Sequence, residues 1–170
     1  MDVDPTYVTS AEEIVWGLVL ITVTIVAHGI GTTLALVATD GSGRIGEPAP
    51  VLRDLARVNS LAALLVLLHL SEVLIWAGFF TWQDCFPTLS VSYYVALMDY
   101  TTLGCDYELP RRWQLLEGMI AICGLLTFAW TTSVLMSVVQ KVQEGRLRRR
   151  RLRRQHATGS AHAEDAHEGR

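Results

Sequence analysis

Charged side chains are missing from two long stretches of the chain and nearly missing from a third. Residues 14–38 and 118–140 contain no Asp, Glu, Lys or Arg, and residues 58–82 contain one, Glu72. A bilayer core about 30 Å thick takes roughly 20 apolar helical residues, so each stretch is long enough to cross it. The sequence therefore predicts an all-α membrane protein with three transmembrane helices, the first of them at 14–38.

Basic residues are missing from the chain before Arg44. A cleaved signal peptide has a basic start and a short apolar stretch of about 7–15 residues, and neither feature is present. We therefore expect the first apolar stretch to be retained as a membrane span. Acids occupy the lead instead: Asp2, Asp4, Glu12 and Glu13.

The two signs of charge are divided along the chain. Residues 1–140 carry 13 acids and 5 bases, whereas residues 141–170 carry 9 bases and 4 acids. Lys and Arg beside a span stay in the cytoplasm. We expect residues 141–170 to be a basic, largely disordered cytoplasmic tail and residues 39–57 to be a cytoplasmic loop. Residues 1–13 are then an extracytoplasmic lead. The expected location of the protein is the cell inner membrane.

Arginines crowd the start of this tail. Clustered arginines beside a span attract anionic lipid headgroups with about 1 kcal/mol per residue. Nucleic acid would fit the composition, but a chain held at the membrane disfavours that partner, so we expect lipid and no nucleic acid. The predicted lipid-facing cluster is Arg146, Arg148, Arg149, Arg150, Arg151, Arg153 and Arg154.

The chain has three cysteines, an odd number. Cys123 lies in the third apolar stretch, where a thiol packs as a small apolar group. Cys85 and Cys105 both fall on the predicted outer side, where a disulfide is permitted. Two unlinked thiols fit the sequence equally well.

A polar stretch, YYVALMDYTTLGCDYELP at 93–110, separates the second and third apolar stretches. Thr88 or Ser90 is placed to cap a short helix before it, which we predict at 88–103. Such a helix is too short to cross the bilayer, and irregular backbone at membrane depth occurs only inside protein or facing water. We therefore expect a pore helix and loop that enter and leave the membrane on the outer side.

The loop after this helix offers oxygen atoms to a cation. The helix C-terminus carries a partial negative charge, and hydroxyl and carbonyl oxygens replace the hydration shell of an ion. Gly104 permits the backbone angles of a tight turn. The predicted ion pathway consists of Thr101, Thr102, Leu103, Gly104, Cys105 and Asp106.

Acidic side chains surround this loop and would concentrate cations at its mouth. The alternative is that an outer loop is simply solvated and polar. Asp99 lies within the predicted helix, and we expect its carboxylate to accept hydrogen bonds from the loop amides. The predicted support and mouth residues are Asp99, Glu108 and Glu117.

The segment order over residues 61–140 resembles the pore module of the potassium-channel superfamily, and in particular small bacterial ion-channel proteins with one extra N-terminal span. The resemblance implies a homotetramer whose filter loops, residues 101–106, meet at a central axis. It is carried by VLLHLSEVLIWA (66–77), DYTTLGCDYELP (99–110) and WQLLEGMIAICGLLTFAWTTSVL (113–135).

In that resemblance Thr102, Leu103 and Gly104 match the inner part of the family's TVGYGD filter. The chain then departs from the family, with Gly-Cys-Asp-Tyr in place of Gly-Tyr-Gly-Asp. A ring of Asp106 carboxylates would replace the outermost carbonyls, so we expect a preference for cations (K⁺, Na⁺ or Ca²⁺) rather than strict potassium selectivity. The resemblance also implies a pore module at 58–140, with an inner helix at 114–140 whose Gly124 and Thr127 region faces a cavity.

Ionisable side chains also lie at membrane depth within the apolar stretches. His69 and Glu72 share one face of the second stretch, and His28 lies midway along the first. Such groups are costly in a membrane and tend to pair or to mark a pathway. A structural pair, a pH or gating sensor and a zinc or iron site all stay open. Because no HExxH motif accompanies them, we expect no bound metal or cofactor.

Together these features predict a passive cation channel subunit, with no catalytic residues and no enzymatic activity. Two alternatives come from other classes. The first is a membrane metal-binding or redox protein that uses His28, His69 and Glu72. The second is a non-conducting homologue of the pore module.

Overall fold

The structure, a computed structural model, describes residues 9–40 and 51–168. All regular structure in these two ranges is helical, which confirms the all-α prediction. The elements are α1 (Ala11–Asp40), α2 (Val51–Trp82), α3 (Leu89–Tyr100), a 3₁₀ turn (Arg111–Trp113) and α4 (Leu115–Glu168).

Three of the helices are long and apolar enough to cross a membrane. The apolar lengths are Ala11–Thr39, Leu52–Trp82 and Arg111–Arg148. Large apolar side chains on their outer faces are exposed, for example Leu34 and Leu67. A soluble protein rarely exposes apolar patches of this extent, so the chain is a membrane-embedded protein.

The start of α1 is fastened to the start of α4. The Ser10 hydroxyl accepts a hydrogen bond from the Glu13 amide at 3.1 Å and caps the helix. The carboxylate of Glu13 is buried and accepts a bond from the amide of Leu115, where it also offsets the positive end of the helix dipole. The two helices therefore run parallel.

Helix α2 runs in the opposite direction between them. At its C-terminal end Phe79 packs against Trp16 and Trp113, with ring centroids 5.4 and 5.1 Å apart. At its N-terminal end Asp54 Oδ2 lies 3.3 Å from Arg146 Nε of α4. The three long helices form one bundle, with an aromatic end and an end held by an ion pair.

Helix α3 enters this bundle from the aromatic end and stops halfway along it. Thr88 caps the helix by accepting from the Val91 amide at 3.3 Å. Its last residue, Tyr100, bonds to Glu72, about 15 Å along α2 from Trp82 at 1.5 Å per residue. The chain then returns to the end where it started.

The return of the chain is marked by Leu109. Its amide donates to the carboxylate of Glu117, near the start of α4, at 2.9 Å. Residues 89–109 therefore form a hairpin of helix and loop, open at the aromatic end and turning in the middle of the bundle. We call residues 89–109 the helix–loop hairpin.

Two boundaries differ from the sequence prediction by more than three residues. Residues 51–57, expected in the cytoplasmic loop, are the first turns of α2, because Asp54 is buried and paired with Arg146. The rest of that loop, 41–50, and residues 1–8 of the lead lie outside the described residues.

The second difference is in the tail. Residues 141–168, predicted to be largely disordered, continue α4 as helix to Glu168. The segment is rich in Arg and Ala, which favour helix, and no proline follows Pro110 in the chain. Composition alone suggested a solvated tail, but local helix propensity determines its backbone.

Two apolar cores fill the bundle, and polar side chains separate them. The core at the aromatic end includes Trp76, Phe80 and Trp113. The core at the other end is aliphatic and includes Leu61 and Leu65. The fold thus brings polar groups of the spanning helices together at one level, in the middle.

Candidate functional site

A cluster of buried polar side chains lies between the two cores, and all four α-helices contribute to it. We call it the polar cluster. Most of its members are less than 10% exposed, which excludes bulk water from their contacts. The polar cluster consists of His28 from α1, His69 and Glu72 from α2, Tyr100 from α3, and Thr127 and Thr131 from α4.

Glu72 is the centre of the polar cluster and is fully buried. One carboxylate oxygen, Oε1, lies 2.8 Å from His28 Nδ1. The other, Oε2, accepts a 2.6 Å hydrogen bond from the Tyr100 hydroxyl and lies 3.4 Å from His69 Nδ1. The structure thus brings together the three ionisable residues singled out in the sequence.

Helix α4 contributes two hydroxyls to the polar cluster. Thr131 Oγ1 lies 2.9 Å from His69 Nε2 and 3.3 Å from His28 Nε2. Thr127 Oγ1 lies 2.6 Å from the Tyr100 hydroxyl. Each histidine therefore has Nδ1 on the Glu72 side and Nε2 on the Thr131 side.

Aromatic rings cover the two histidines. Trp130 meets the His28 ring edge-on at a centroid distance of 5.4 Å. Phe128 lies over the His69 ring at 4.5 Å. Since both aromatic side chains are partly exposed on the outer face of α4, they separate the polar cluster from the surroundings of the bundle.

Sequence reasoning missed Tyr100, and it placed neither Thr127, expected near a cavity, nor Thr131 in the polar cluster with the histidines. The two threonines are spaced by four residues, so they share one face of an otherwise apolar helix. That spacing was the available signal. Tyr100 carried no such signal, because its partner Glu72 lies 28 positions away and only the packing of α3 on α2 brings them together.

The turn of the helix–loop hairpin follows directly after Tyr100. The Thr102 amide donates to the Asp99 carbonyl, and the Leu103 amide donates to the Met98 carbonyl, both at 2.9 Å. These two bonds form the C-terminal helix motif that places one residue in the left-handed region. That residue is Thr102, with φ of 62°.

The predicted ion pathway lies on this turn. Thr102, Leu103, Gly104 and Asp106 are exposed, Leu103 at 74%. Gly104 has a φ of 68°, which suits glycine. Thr101 differs from the expectation, because its hydroxyl donates back to the Leu97 carbonyl at 2.8 Å.

Cys105 is half-buried beside this turn, with Sγ 3.5 Å from the carbonyl oxygen of Tyr107. Cys85 and Cys123 are also free thiols in the structure, so the permitted disulfide is not formed. Burial raises the pKa of Cys85, which lies outside the spanning helices, to about 11, with Arg112 lowering it and Asp84 raising it. A thiol with such a pKa is a poor nucleophile at neutral pH.

The predicted support residues have different environments. Glu117 holds the returning chain at Leu109, and Glu108 is exposed near it. Asp99 Oδ2 is buried and has no hydrogen-bond partner among the described residues. The amides of the turn donate to α3 carbonyls, so the structure does not show the expected bond from these amides to the Asp99 carboxylate.

Gly124 and Thr127 also differ from the expectation that they face a cavity. Both are buried against α3. A Cβ added at Gly124 would overlap the carbonyl oxygen of Tyr100. The absence of a side chain at Gly124 is what allows α3 to pack closely on α4.

The predicted lipid-facing arginines lie on the last part of α4. Arg146 pairs with Asp54, and Arg148, Arg150 and Arg151 are exposed. The side chains of three further members lie outside the described part of the structure: Arg149, Arg153 and Arg154.

No protein-family model, curated protein or solved structure matches this chain. The resemblance to potassium-channel pore modules therefore stays a prediction, and function must be inferred from geometry. Two features offer chemistry. The exposed turn of the helix–loop hairpin presents oxygens and a carboxylate, and ligand atoms of His28, His69 and Glu72 lie within 4.8 Å of one another.

Proposed function

We propose that the chain is one subunit of a homotetrameric channel through which cations cross the bacterial inner membrane passively. The observation that carries the proposal is the helix–loop hairpin, residues 89–109. It enters the bundle at one end, turns beside Glu72 and returns to the same end. In the proposed orientation that end is extracytoplasmic, and both the N-terminus and this opening face outward.

The depth of the turn supports a re-entrant position. Helix α3 has 12 residues, a length of about 18 Å, and a bilayer core is about 30 Å thick. With Trp82 and Trp113 at the outer interface, where tryptophan is enriched, the turn lies near mid-membrane. Backbone at that depth must face protein or water.

The exposure of the turn supports a shared axis. In a single chain, Thr102, Leu103 and Gly104 are exposed, because no other part of the chain covers them. Lipid cannot satisfy their backbone groups. Four copies around a water-filled axis would give these groups both cover and water, as the resemblance to pore modules implies.

Charge supports cations as the permeating species. Asp106 and Glu108 are exposed on the outward segment after the turn, and the negative end of the α3 dipole points to the turn. Rings of carboxylates concentrate cations and repel anions. Since Gly-Cys-Asp replaces the Gly-Tyr-Gly-Asp of the family, the proposal is a preference for cations without strict potassium selectivity.

Reversal potentials in liposomes test this function. We expect reconstituted protein to give cation-selective currents under K⁺, Na⁺ or Ca²⁺ gradients, and Asp106→Asn to lower the permeability of cations relative to chloride. Glu144→Gln, which removes an exposed acid on α4 far from the turn, is the matched control and should change nothing. Tetrameric protein without current at any voltage or pH would contradict the proposal.

A further inference from the structure

The two histidines of the polar cluster share one hydroxyl of α4. Thr131 Oγ1 faces the Nε2 atoms of both His69 and His28, at 2.9 and 3.3 Å. A hydroxyl has one proton to donate and two lone pairs. It satisfies two N–H donors, or one N–H donor and one bare ring nitrogen, but it can donate to only one of two bare ring nitrogens.

With protons on both Nε2 atoms, each neutral ring has a bare Nδ1 atom on the Glu72 side. His28 Nδ1 then lies 2.8 Å from Glu72 Oε1, and His69 Nδ1 lies 3.4 Å from Oε2. In that tautomer His28 Nδ1 and Glu72 Oε1 are two acceptors that repel each other unless a cation lies between them. His69 Nδ1, by contrast, also has the Tyr100 hydroxyl at 3.0 Å. If each ring carried protons on both Nδ1 and Nε2, two charged imidazoles would face one buried carboxylate. Uncompensated buried charge is costly.

We propose that this space is a binding site for one divalent transition-metal ion of the Zn²⁺ class. The donors are His28 Nδ1, His69 Nδ1 and a carboxylate oxygen of Glu72, with the Tyr100 oxygen as the fourth. A divalent ion would be coordinated by the bare nitrogen of each ring and by the carboxylate at the same time. If the phenol proton of Tyr100 is released to water when the ion binds, the ion, the phenolate and the carboxylate sum to zero charge, as an apolar bundle requires.

The distances suit such an ion. Neighbouring donor atoms in the polar cluster are separated by 2.6 to 3.4 Å. Bonds of 2.0–2.1 Å in a tetrahedral site place donors about 3.3 Å apart. The closest donors therefore need to move apart slightly, and the ligand atoms of His28, His69 and Glu72, which lie within 4.8 Å of one another, are close enough to converge on one ion. Two imidazoles favour a transition metal over Mg²⁺ or Ca²⁺, which prefer oxygen donors.

The surroundings also match a metal site. Ligating histidines nearly always donate their other ring N–H to a nearby acceptor, and Thr131 Oγ1 is that acceptor for both rings. His69 is the less buried of the two histidines, with 9% of its side chain exposed beneath Phe128. That edge of the polar cluster is the entry route for the ion. Because Thr131 holds both rings without binding the ion, it is a positioning residue.

Metal analysis of the full chain, purified in detergent without a histidine tag, tests the site. The tail has histidines at 156, 162 and 167, which are replaced by Gln so that they do not bind metal. After Zn²⁺ loading and desalting, we expect about one ion per chain. No retained ion in this tail variant would overturn the proposal.

Substitutions in the tail variant assign the ligands. His28→Gln and Glu72→Gln should each lose at least about tenfold in affinity, and Thr131→Val about 10–100-fold. Thr32→Val is the matched control, since Thr32 lies buried on the same face one turn from His28, and it should keep the ion. Full occupancy in His28→Gln would refute the assignment.

Co²⁺ loading keeps the test decisive if a ligand variant fails to fold. The tail variant should show the visible absorption of Co²⁺ bound by nitrogen and oxygen donors, and Tyr100→Phe should alter these bands. The spectrum of hydrated Co²⁺ alone would count against the site. The readout is bound metal, so this inference stands or falls independently of conduction.

Discussion

Thr102 has a backbone conformation that its side chain disfavours. Its φ of 62° lies in the left-handed region, which costs a non-glycine residue roughly 1–2 kcal/mol and is rare for a β-branched one. Glycine is the usual residue at this position of the helix end. Strained residues of this kind are retained where surrounding structure holds them, often at functional sites.

Replacement of Thr102 by glycine should therefore stabilise the fold. We expect Thr102→Gly to raise the free energy of unfolding by about 1 kcal/mol, measured by chemical denaturation in detergent. Thr101→Gly is the control, because Thr101 has a φ of −88° and a bonded hydroxyl, and it should destabilise. The opposite order would show that the Thr102 side chain, and not its backbone angle, matters.

Single residues also show where sequence reasoning succeeds. His28, His69 and Glu72 were identified because charge in an apolar stretch is costly, and they do meet. The cap of α3 was narrowed to Thr88 or Ser90 from local chemistry, and Thr88 is the one that accepts the bond. Long-range partners such as Tyr100 were not, since sequence spacing carries no information on how two helices are placed against each other.

Among the elements, the packing of α3 on α4 positions the turn. Gly124 permits this contact, because a Cβ there would meet the carbonyl oxygen of Tyr100. Tyr100 belongs to the polar cluster and immediately precedes the turn. Any shift of α3 therefore moves both candidate sites together.

A methyl group at Gly124 should separate α3 from α4. We expect Gly124→Ala to lower the free energy of unfolding by about 1–3 kcal/mol, as overpacking of a tight core does. Gly118→Ala, on the same helix with open space around it, should instead stabilise by about 0.5–1 kcal/mol through helix propensity. Equal effects in thermal unfolding would mean that the contact does not position α3.

The helix boundaries show the limits of reasoning from composition. The apolar stretches gave all three long helices, because membrane length imposes a simple rule. The length of an apolar stretch gives no information on helix beyond that stretch. The first turns of α2 and the extension of α4 to Glu168 were therefore missed. There the ion pair of Asp54 with Arg146 and local helix propensity determine the backbone.

In the whole molecule, the two candidate sites lie at a similar depth and differ in exposure. The polar cluster ties the helices together inside the bundle, whereas the exposed turn of the helix–loop hairpin faces outward from it. The face of the bundle that carries this turn is exposed in a single chain. In the proposed tetramer, that face surrounds the axis and α1 lies on the periphery.

Distances between spin labels on different subunits test this arrangement most directly. With the native cysteines replaced, labels at Glu108→Cys report on the mouth of the hairpin and labels at Leu34→Cys report on the exposed face of α1. Fourfold symmetry requires two distances in a ratio of about 1.4 at each position. We expect this pair of distances at both positions, with the distances at 108 clearly the shorter. No distance between subunits, or longer distances at 108 than at 34, would contradict a hairpin that lines a common axis.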